Sequence, residues 1–378
     1  MHIVTIGDIG PIDDMIHIGD EAMFDAAVHE LRSRGVDRIT AVSSNLNDSA
    51  TRYGVETVLP LSRGGSNDEL CEVIGAADGV LVAGGGNVSS VWPSHIVERA
   101  NLARIAAELD RPFVVSGQTI GPALSDTDRQ TVAGMLGSAR LVGTREATSA
   151  ALVTGLGVTT DRAAQNVDDA SFLGDDHAAR DLAAPPDEPD EPYALITFAR
   201  HVGGVDPERA LDAYAGLLDA VAEQTGLELV FHAHFGSLRD DIRGDSVVHA
   251  LVAERLRTAR VRVARTTDVP SSAALARSAA LVITSRYHPA VFAGPGGVPT
   301  IGIPVDEYTD VKLRGALGGF GQDGILPIAE LLGRGGATTL GTVWDARAQT
   351  RERGIRIADR ARRNSAAWWD RVRAAFER

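Results

Sequence analysis

The segment Ile283–Lys312, which reads ITSRYHPAVFAGPGGVPTIGIPVDEYTDVK, decides the fold of this chain. It overlaps two apolar runs, 280–284 and 298–303, and the small residues between them are typical of a short helix, so we predict a strand, a helix and a strand. The strands of such a unit are parallel, and the residues that follow each strand therefore reach the same edge of the sheet, where open α/β folds bind their ligands. The polar side chains predicted at that edge are Arg286, His288, Tyr308 and Lys312.

Lys312 stands out because it is the only lysine in the chain, although Lys and Arg together number 37. A lysine ammonium is a compact point charge, and arginine does not replace it where such a charge must meet a phosphate or a carboxylate. One lysine in a chain that otherwise uses arginine favours a role in binding an anion.

The composition limits the possible classes of protein. With 378 residues and a hydrophobic content of 44%, the chain is long enough for two α/β domains with cores of their own. The net charge of −14 argues against nucleic acid as the main partner, so an anionic ligand must be held by a local cluster of basic side chains. A single cysteine, Cys71, excludes an internal disulfide. The lack of a leader segment and of an apolar run of about 18 residues predicts a cytoplasmic protein without a transmembrane segment.

The first half of the chain alternates strands and helices, and its strand ends are rich in glycine. A strand at 2–6 precedes a loop at 7–19, after which Asp20 is predicted to cap a helix. Free N–H groups at such a helix start suit an anion or a sugar hydroxyl, although a plain capped loop is an alternative. Three glycines follow the buried strand at 79–83 and allow a ligand to lie against the backbone. Another polar, glycine-flanked strand end contains Gln118.

An acidic, proline-rich stretch without apolar periodicity separates two α/β halves and is typical of a linker. Two such halves with polar strand ends predict an enzyme with its active site in the cleft between them. The predicted domains are an α/β domain at 1–175, a linker at 176–192, a second α/β domain at 193–340 and a C-terminal helix at 341–378 that packs back on the domains.

The second half supplies the basic side chains of the predicted active site. Arg200 and Arg286 can each hold a phosphate or carboxylate through two hydrogen bonds, and Lys312 adds an ammonium. His288, with an ordinary pKa of about 6.5, can transfer a proton, although a structural hydrogen bond is an alternative role.

Two pairs of residues could suggest a metal ion. His232 and His234 would face the same way in a strand, but no third ligand accompanies them at a suitable spacing. Asp168 and Asp169 could hold a cation but are better interpreted as a helix cap or as the partner of an arginine. We therefore predict no metal site.

Several short motifs follow one another in a fixed order, and they cover nearly the whole chain to about residue 320. They are Gly19-Asp20-Glu21-Ala22, Asp78 to Gly86, Gly117-Gln118-x-Ile120-Gly121-Pro122, Arg145-Glu146 with Ser149, Asp168 with Ala170 and Phe172, Arg286-x-His288, and Tyr308 with Lys312. Together these motifs resemble those of the polysaccharide pyruvyl transferase family.

The resemblance implies two Rossmann-like domains arranged as in GT-B glycosyltransferases. It also implies transfer of the pyruvyl group of phosphoenolpyruvate to two hydroxyls of a saccharide as a cyclic ketal, with release of phosphate and with no cofactor beside that co-substrate. The residues then expected to bind the donor are Arg200, Arg286, Tyr287, His288, Tyr308 and Lys312, of which His288, Arg200 and Arg286 would be catalytic. Those expected to bind the acceptor are Asp20, Glu21, Gly84, Gly85, Gly86, Asn87 and Gln118.

The chain departs from the family pattern mainly on the acceptor side. Residues 12–18 lengthen the first loop, with His17 where asparagine is usual, and Thr119 and Glu146 replace a glycine and an aspartate. The sequence therefore leaves open the acceptor, the ketal stereochemistry and regiochemistry, and the oligomeric state, for which a homo-oligomer is one option.

Two other functions stay open. A GT-B-type glycosyltransferase that uses a nucleotide sugar would need a pocket for the base and ribose, to which the sequence does not point. A non-catalytic glycan-binding protein would have no need for the basic residues Arg286 and Lys312 beside His288.

Overall fold

The structure is a computed structural model that describes residues 1–174, 189, 191–239, 241–333 and 335–377. The chain forms two compact units. Unit 1 comprises Met1–Ile12, Asp20–Ala170 and Ala361–Arg378, and unit 2 comprises Asp13–Gly19 and Ser171–Arg360. Unit 2 thus includes a short segment that the sequence assigns to the first domain. The predicted linker at 176–192 lies outside the described residues except at 189, 191 and 192.

The strands are short and follow the alternation that the sequence predicts. In the described part of the chain they are β1 (His2–Ile6), β2 (Met15–His17), β3 (Arg38–Val42), β4 (Glu56–Val58), β5 (Gly79–Val82), β6 (Gly85–Val88), β7 (Phe113–Ile120), β8 (Leu141–Thr144), β9 (Ala163–Gln165), β10 (Tyr193–Thr197), β11 (Glu228–His232), β12 (Phe235–Ser237), β13 (Val261–Ala264), β14 (Leu281–Thr284) and β15 (Thr300–Gly302).

Helices connect most of these strands, and none in the described part of the chain is long and apolar enough to span a membrane. They are α1 (Ile18–Ser33), α2 (Leu46–Tyr53), α3 (Asn67–Gly75), α4 (Pro93–Glu108), α5 (Asp126–Ser138), α6 (Ala147–Gly155), α7 (Pro207–Thr225), α8 (Asp245–Ala253), α9 (Val269–Ser278), α10 (Tyr287–Ala293), α11 (Glu307–Gly319), α12 (Ile328–Leu332), α13 (Gly336–Asp345) and α14 (Arg347–Ala375). Two 3-10 helices add Leu61–Arg63 and Asp169–Phe172.

Each unit is built on a parallel sheet. The sheet of unit 1 has the order β4-β3-β1-β5-β7-β8-β9, with β6 beside β7, and the sheet of unit 2 has the order β13-β11-β10-β14-β15. Alternate residues of the unit 1 strands pack on opposite faces: Val80 and Val82 belong to one apolar cluster, and Leu81 belongs to another. Apolar burial on both faces is what a parallel sheet covered by helices requires.

The first helix begins earlier than the sequence predicts. The expected loop at 7–19 contains β2, and α1 begins at Ile18, so the prediction that Asp20 caps this helix is wrong. The physical reason is that β2 pairs antiparallel with β12, and the N–H of Ile18 donates to the carbonyl of His234 at 2.9 Å. Asp20 instead lies in the first turn of α1, where a negative charge interacts favourably with the helix dipole.

Two further details of the sequence-based outline change. The glycine run at 84–86 is not only a loop, because β6 begins at Gly85 and pairs with β7. The helical pattern near the C-terminus forms two helices, α13 and α14. The end of α14 packs in the core of unit 1 through Trp368, Trp369, Val372 and Phe376.

Candidate functional site

In unit 2, Arg286 lies at the carboxyl end of β14 and directly before α10. Its backbone N–H donates to Oγ1 of Thr284 at 2.9 Å, which fixes the turn after the strand. Its guanidinium holds the carboxylate of Asp245 through Nη2 to Oδ1 at 2.6 Å and Nε to Oδ2 at 3.0 Å. Asp245 is fully buried, whereas the side chain of Arg286 is 30% exposed. Arg286 is therefore oriented by a buried carboxylate and still reaches solvent.

His288 follows in the first turn of α10 and is almost buried. Its ring lies 4.9 Å from that of Tyr287 and 5.9 Å from that of Phe292, measured between centroids. On the remaining side it contacts the backbone of Gly19, since a Cβ atom at that position would lie only 1.8 Å from Nδ1 of His288. Glycine at position 19 is therefore needed for the observed position of the imidazole.

Lys312 lies in α11 between two tyrosine rings. Its Nζ donates to the hydroxyl of Tyr308 at 3.1 Å and lies 4.5 Å from the centroid of that ring. The same Nζ is 5.1 Å from the ring centroid of Tyr287, which precedes His288. Cation–π contacts of this kind hold an ammonium without neutralising its charge. The structure therefore brings the only lysine of the chain next to the Arg-Tyr-His motif.

Arg200 lies in the exposed loop after β10, the strand beside β14. The next residue, His201, makes a 2.8 Å hydrogen bond from Nε2 to Oδ2 of Asp306. Asp306 in turn caps α11, the helix that carries Lys312. Because β10, β14 and β15 are adjacent and parallel, their carboxyl ends place Arg200, Arg286 and Lys312 at one edge of the sheet, as the sequence predicts.

Three more histidines, all buried, lie near this edge. Burial lowers the pKa of His249 to about 4, and burial together with His232 and His288 lowers the pKa of His234 well below its usual range. The rings of His232 and His234 lie 5.2 Å apart, but Nε2 of His232 is hydrogen-bonded to Ser272. Among the described residues, no group of three or more His, Cys, Asp or Glu side chains could hold a metal ion. The absence of a metal in the reaction stays a prediction.

In unit 1, Glu21 is buried and fully engaged with the protein. Its Oε1 accepts a hydrogen bond from the N–H of Gly10 at 2.9 Å, and its Oε2 accepts one from the hydroxyl of Tyr53. Burial raises the pKa of Glu21 to about 7 in spite of these bonds. Its neighbour Asp20 is only partly buried. Glu21 therefore ties the first loop to α2, and a sugar could not reach it without displacing these bonds.

The glycine run and Gln118 pack on each other in the same unit. A Cβ atom at Gly85 would lie 2.8 Å from Nε2 of Gln118, and one at Gly84 would lie 3.1 Å from Met23. The side chain of Gln118 is completely buried, and Gly85 and Gly86 are part of β6. At Gly84 and Gly85, the absence of a side chain is thus explained by close packing inside unit 1.

Two of the residues that depart from the family pattern, Thr119 and Glu146, belong to one buried network. Arg145 binds Asp168 through Nη1 and Oδ2 at 2.7 Å and donates from Nε to Oγ1 of Thr119 at 2.8 Å. The hydroxyl of Thr119 donates to Oε2 of Glu146 at 3.0 Å, and Glu146 also accepts from Ser149. Thr119 and Glu146, the two replacements, are thus bonded to each other. They preserve a structural network rather than form a new surface.

A family model for polysaccharide pyruvyl transferases matches residues 17–307. The chain belongs to the polysaccharide pyruvyl transferase family. It is therefore a transferase. The match includes α1, the Arg145 network and the Arg-Tyr-His motif, so the family predicted from the short motifs is confirmed. No curated protein sequence matches the chain.

Several solved structures have the same fold as this chain. A UDP-GlcNAc 2-epimerase from Methanocaldococcus jannaschii matches with a TM-score of 0.61 at 12% identity, covering 91% of this chain and 93% of that one. The Anabaena protein Alr3699/HepE, solved with UDP-glucose, matches with 0.58 at 13% identity over 99% and 98%. The glycotransferase of kitacinnamycin matches with 0.55 at 14% identity over 99% and 98%. At such identities the likeness concerns the fold alone, and it confirms the predicted class of two Rossmann-like units of the GT-B kind.

Sequence reasoning missed two residues that shape the site of this pyruvyl transferase family member. Asp245 lies 41 positions before Arg286 and has no motif around it, so nothing in the sequence pairs the two. Gly19 precedes Asp20 in the first motif, and its position in that motif is a signal that could have been followed. The contact between Gly19 and His288 could only be found from the fold.

Proposed function

We propose that this transferase moves the pyruvyl group of phosphoenolpyruvate to two hydroxyls of a saccharide acceptor. The observation that carries the proposal is the basic edge of the unit 2 sheet, with Arg200, Arg286 and Lys312 in a chain whose net charge is −14. Phosphoenolpyruvate carries a phosphate and a carboxylate. Guanidinium groups bind both anions through paired hydrogen bonds, and an ammonium adds a point charge.

The proposed reaction needs one proton to be delivered to carbon. One hydroxyl oxygen bonds to C2 of the enol, while C3 takes up a proton and becomes a methyl group. The second hydroxyl oxygen then bonds to C2 as the bond from C2 to the phosphate oxygen breaks. Of the two protons lost by the hydroxyls, one balances the proton gained by C3 and the other leaves with phosphate.

We assign the proton transfer to His288. Its Nδ1 lies against the backbone of Gly19, so Nε2 is the nitrogen we expect to exchange the proton. The neighbouring Arg286 and Lys312 would hold the donor. The enol phosphate of the donor is reactive without a resident cofactor, so the proposal includes none. We place the reaction in the cytoplasm, where phosphoenolpyruvate is made.

The same fold also suggests a second donor. Alr3699/HepE was solved with UDP-glucose, and a nucleotide sugar carries a diphosphate that a basic edge could bind. A glycosyltransferase that uses such a donor is therefore the second candidate. A non-catalytic glycan-binding protein would have no need for an arginine that Asp245 orients, Arg286, with His288 beside it.

Thermal shift separates these candidates, because a ligand that binds only the folded state raises the melting temperature. We expect phosphoenolpyruvate to raise it and UDP-glucose to leave it unchanged. A shift with UDP-glucose alone would replace the pyruvyl donor by a nucleotide sugar. No shift with either compound would contradict both transferase candidates and favour the glycan-binding protein.

A further inference from the structure

A cluster of side chains in unit 1 is built around Asp8, and of its members only Asn87 is among the residues that the family resemblance implies. Asp8 follows β1, and its Oδ1 accepts a hydrogen bond from Nδ1 of His95 at 2.8 Å. Its Oδ2 accepts from Nη2 of Arg99 at 2.8 Å and from the side-chain amide of Asn87. One carboxylate thus fixes three side chains, two on α4 and one on β6.

The charges in this cluster determine which hydrogen atoms are present. Burial by itself would raise the pKa of Asp8, but the guanidinium of Arg99 and the ring of His95 lower it well below its usual range. An ionised carboxylate only accepts hydrogen bonds, so Nδ1 of His95 is the donor, and Nε2 accepts a hydrogen bond when the ring is neutral and donates one when the ring is protonated. The hydrogen bond to Asp8 also raises the pKa of His95. Asp8 therefore orients the imidazole and makes Nε2 more basic.

Two polar atoms of this cluster have no hydrogen-bond partner among the described residues. They are Nε2 of His95, whose side chain is 30% exposed, and Oδ1 of Asn87, whose amide nitrogen is bound to Asp8. Both belong to side chains held by the same carboxylate. A sugar hydroxyl can both donate and accept a hydrogen bond, so each of these two atoms can bind one.

An exposed aromatic ring borders the cluster. Trp92 is 45% exposed at the start of α4, and its ring centroid lies 6.5 Å from that of His95 at an interplanar angle of 85°. Val91 beside it is 50% exposed. Exposed apolar groups next to oriented polar ones are typical of a binding surface, and the face of an indole is complementary to the C–H face of a pyranose ring.

The alternative is that the cluster only stabilises unit 1. The fully buried Arg99 needs a counter-ion, and Asp8 supplies it. That role explains the Asp8–Arg99 pair but requires neither the accessible ring of His95 nor the exposed indole of Trp92. A ligand that contacts these two side chains would explain their positions.

We propose that Asp8, Asn87, Trp92 and His95 form a pyranoside-binding site. One hydroxyl of the sugar forms a hydrogen bond with Nε2 of His95, another donates to Oδ1 of Asn87, and Trp92 covers the apolar face of the ring. The site rests on the proposed function, because it names residues that recognise the saccharide acceptor. Glu21 and Gln118, which the family resemblance implies for this task, are enclosed by other side chains, and Asn87 is the predicted acceptor residue that the cluster includes.

The test is a titration with methyl β-D-glucopyranoside, methyl β-D-galactopyranoside and methyl β-D-mannopyranoside, followed by NMR of ¹⁵N-labelled histidine and tryptophan side chains. We expect at least one glycoside to shift the ring nitrogens of His95 and the indole of Trp92. His95→Ala and Trp92→Ala should each weaken its binding about fivefold or more, the factor expected for one lost hydrogen bond or ring contact. Val97→Ala, on an exposed side chain of the same helix, should leave the affinity unchanged.

Two results would overturn the site: no shift of either resonance with any of the three glycosides, or an affinity that His95→Ala leaves unchanged. Melting temperatures of the variants show whether they are folded. The same labelled protein is titrated with phosphoenolpyruvate, which we expect to shift His288. Glycoside binding without phosphoenolpyruvate binding would keep the saccharide site and reject the proposed donor. The reverse pattern would reject the saccharide site alone.

Discussion

Unit 1 and unit 2 both carry family motifs at the ends of parallel strands, but their side chains are engaged differently. In unit 2, Arg200 is exposed, Arg286 is 30% exposed, and Lys312 is held by two tyrosine rings that leave its charge intact. In unit 1, Glu21 and Gln118 are buried among other protein groups. Equal richness in motifs therefore does not mean equal contact with a ligand. Some motif residues are buried and stabilise the strand ends, whereas others lie at the strand ends with side chains that reach solvent.

The comparison predicts its largest effect at His288. His288→Gln should lower phosphate release from phosphoenolpyruvate in the presence of an acceptor by about 10²- to 10⁴-fold, the range for loss of a general acid or base. The melting temperature should change little. His29→Gln, on α1 of unit 1, should keep full activity. Activity of His288→Gln within about threefold of the wild type would remove this residue from the proposed mechanism.

Asp245 tests whether the unit 2 edge depends on a buried partner. Asp245→Asn removes the charge that holds Arg286 and should lower the free energy of unfolding by about 2–3 kcal/mol, measured by urea denaturation. The matched control is Asp310→Asn, which breaks the exposed pair of Asp310 with Arg314 and should cost at most about 0.5 kcal/mol. Equal losses in the two variants would show that the buried pair is not special.

Gly19 tests whether a backbone contact positions His288. A Cβ atom at this position would overlap the imidazole, so Gly19→Ala should displace the ring and lower turnover about tenfold or more. The KM for phosphoenolpyruvate should change less, because Arg286 and Lys312 are not moved. Gly134→Ala, at an open position of α5, is the control and should leave turnover unchanged. An unaltered His288 NMR signal in Gly19→Ala would refute the contact.

Substitution of Glu21 should have the smallest effect, and it tests whether this carboxyl group is buried in unit 1. Its pKa is raised to about 7 in the folded protein, above the ordinary value of 4.5, so the folded state binds the proton more tightly. Stability from this group is therefore complete below about pH 4.5 and is lost as the pH rises towards 7. Asp169, whose pKa burial also raises to about 7, acts in the same direction.

Glu21→Gln should reduce this loss of stability between pH 5 and 8 by about 1 kcal/mol or more, measured by urea denaturation at both pH values. Glu69→Gln, on an exposed side chain of α3, should leave the pH dependence as in the wild type. The same pH dependence in Glu21→Gln and wild type would mean that Glu21 is not enclosed as described.

The sequence predicts the α/β alternation and the basic edge of unit 2 because both depend on local patterns. Apolar runs place β14 and β15, and the parallel pairing of these strands then brings Arg286 and Lys312 to one edge. The sequence does not predict that α1 begins at Ile18, because this start depends on the pairing of β2 with β12, which is more than 200 residues away along the chain. Pairing over such a distance leaves no periodic signal.

The acceptor residues show a second limit of sequence reasoning. Glycines after a strand are consistent both with a ligand and with a neighbouring side chain, and Gln118 next to Gly85 shows the second case. Conversely, His95 and Trp92 lie in a helix start without a known motif. Their relation to Asp8 becomes visible only when β1 and α4 are placed side by side.

The central claim, that the edge of unit 2 binds phosphoenolpyruvate, is tested most directly by calorimetric titration of two matched variants. Lys312→Met removes the ammonium between the tyrosine rings, whereas Arg314→Met removes an exposed charge of the same sign from the same helix. We expect phosphoenolpyruvate to bind wild type and Arg314→Met alike and to bind Lys312→Met at least about tenfold more weakly, as for loss of a charge-assisted contact. Equal affinity in all three proteins would contradict the claim.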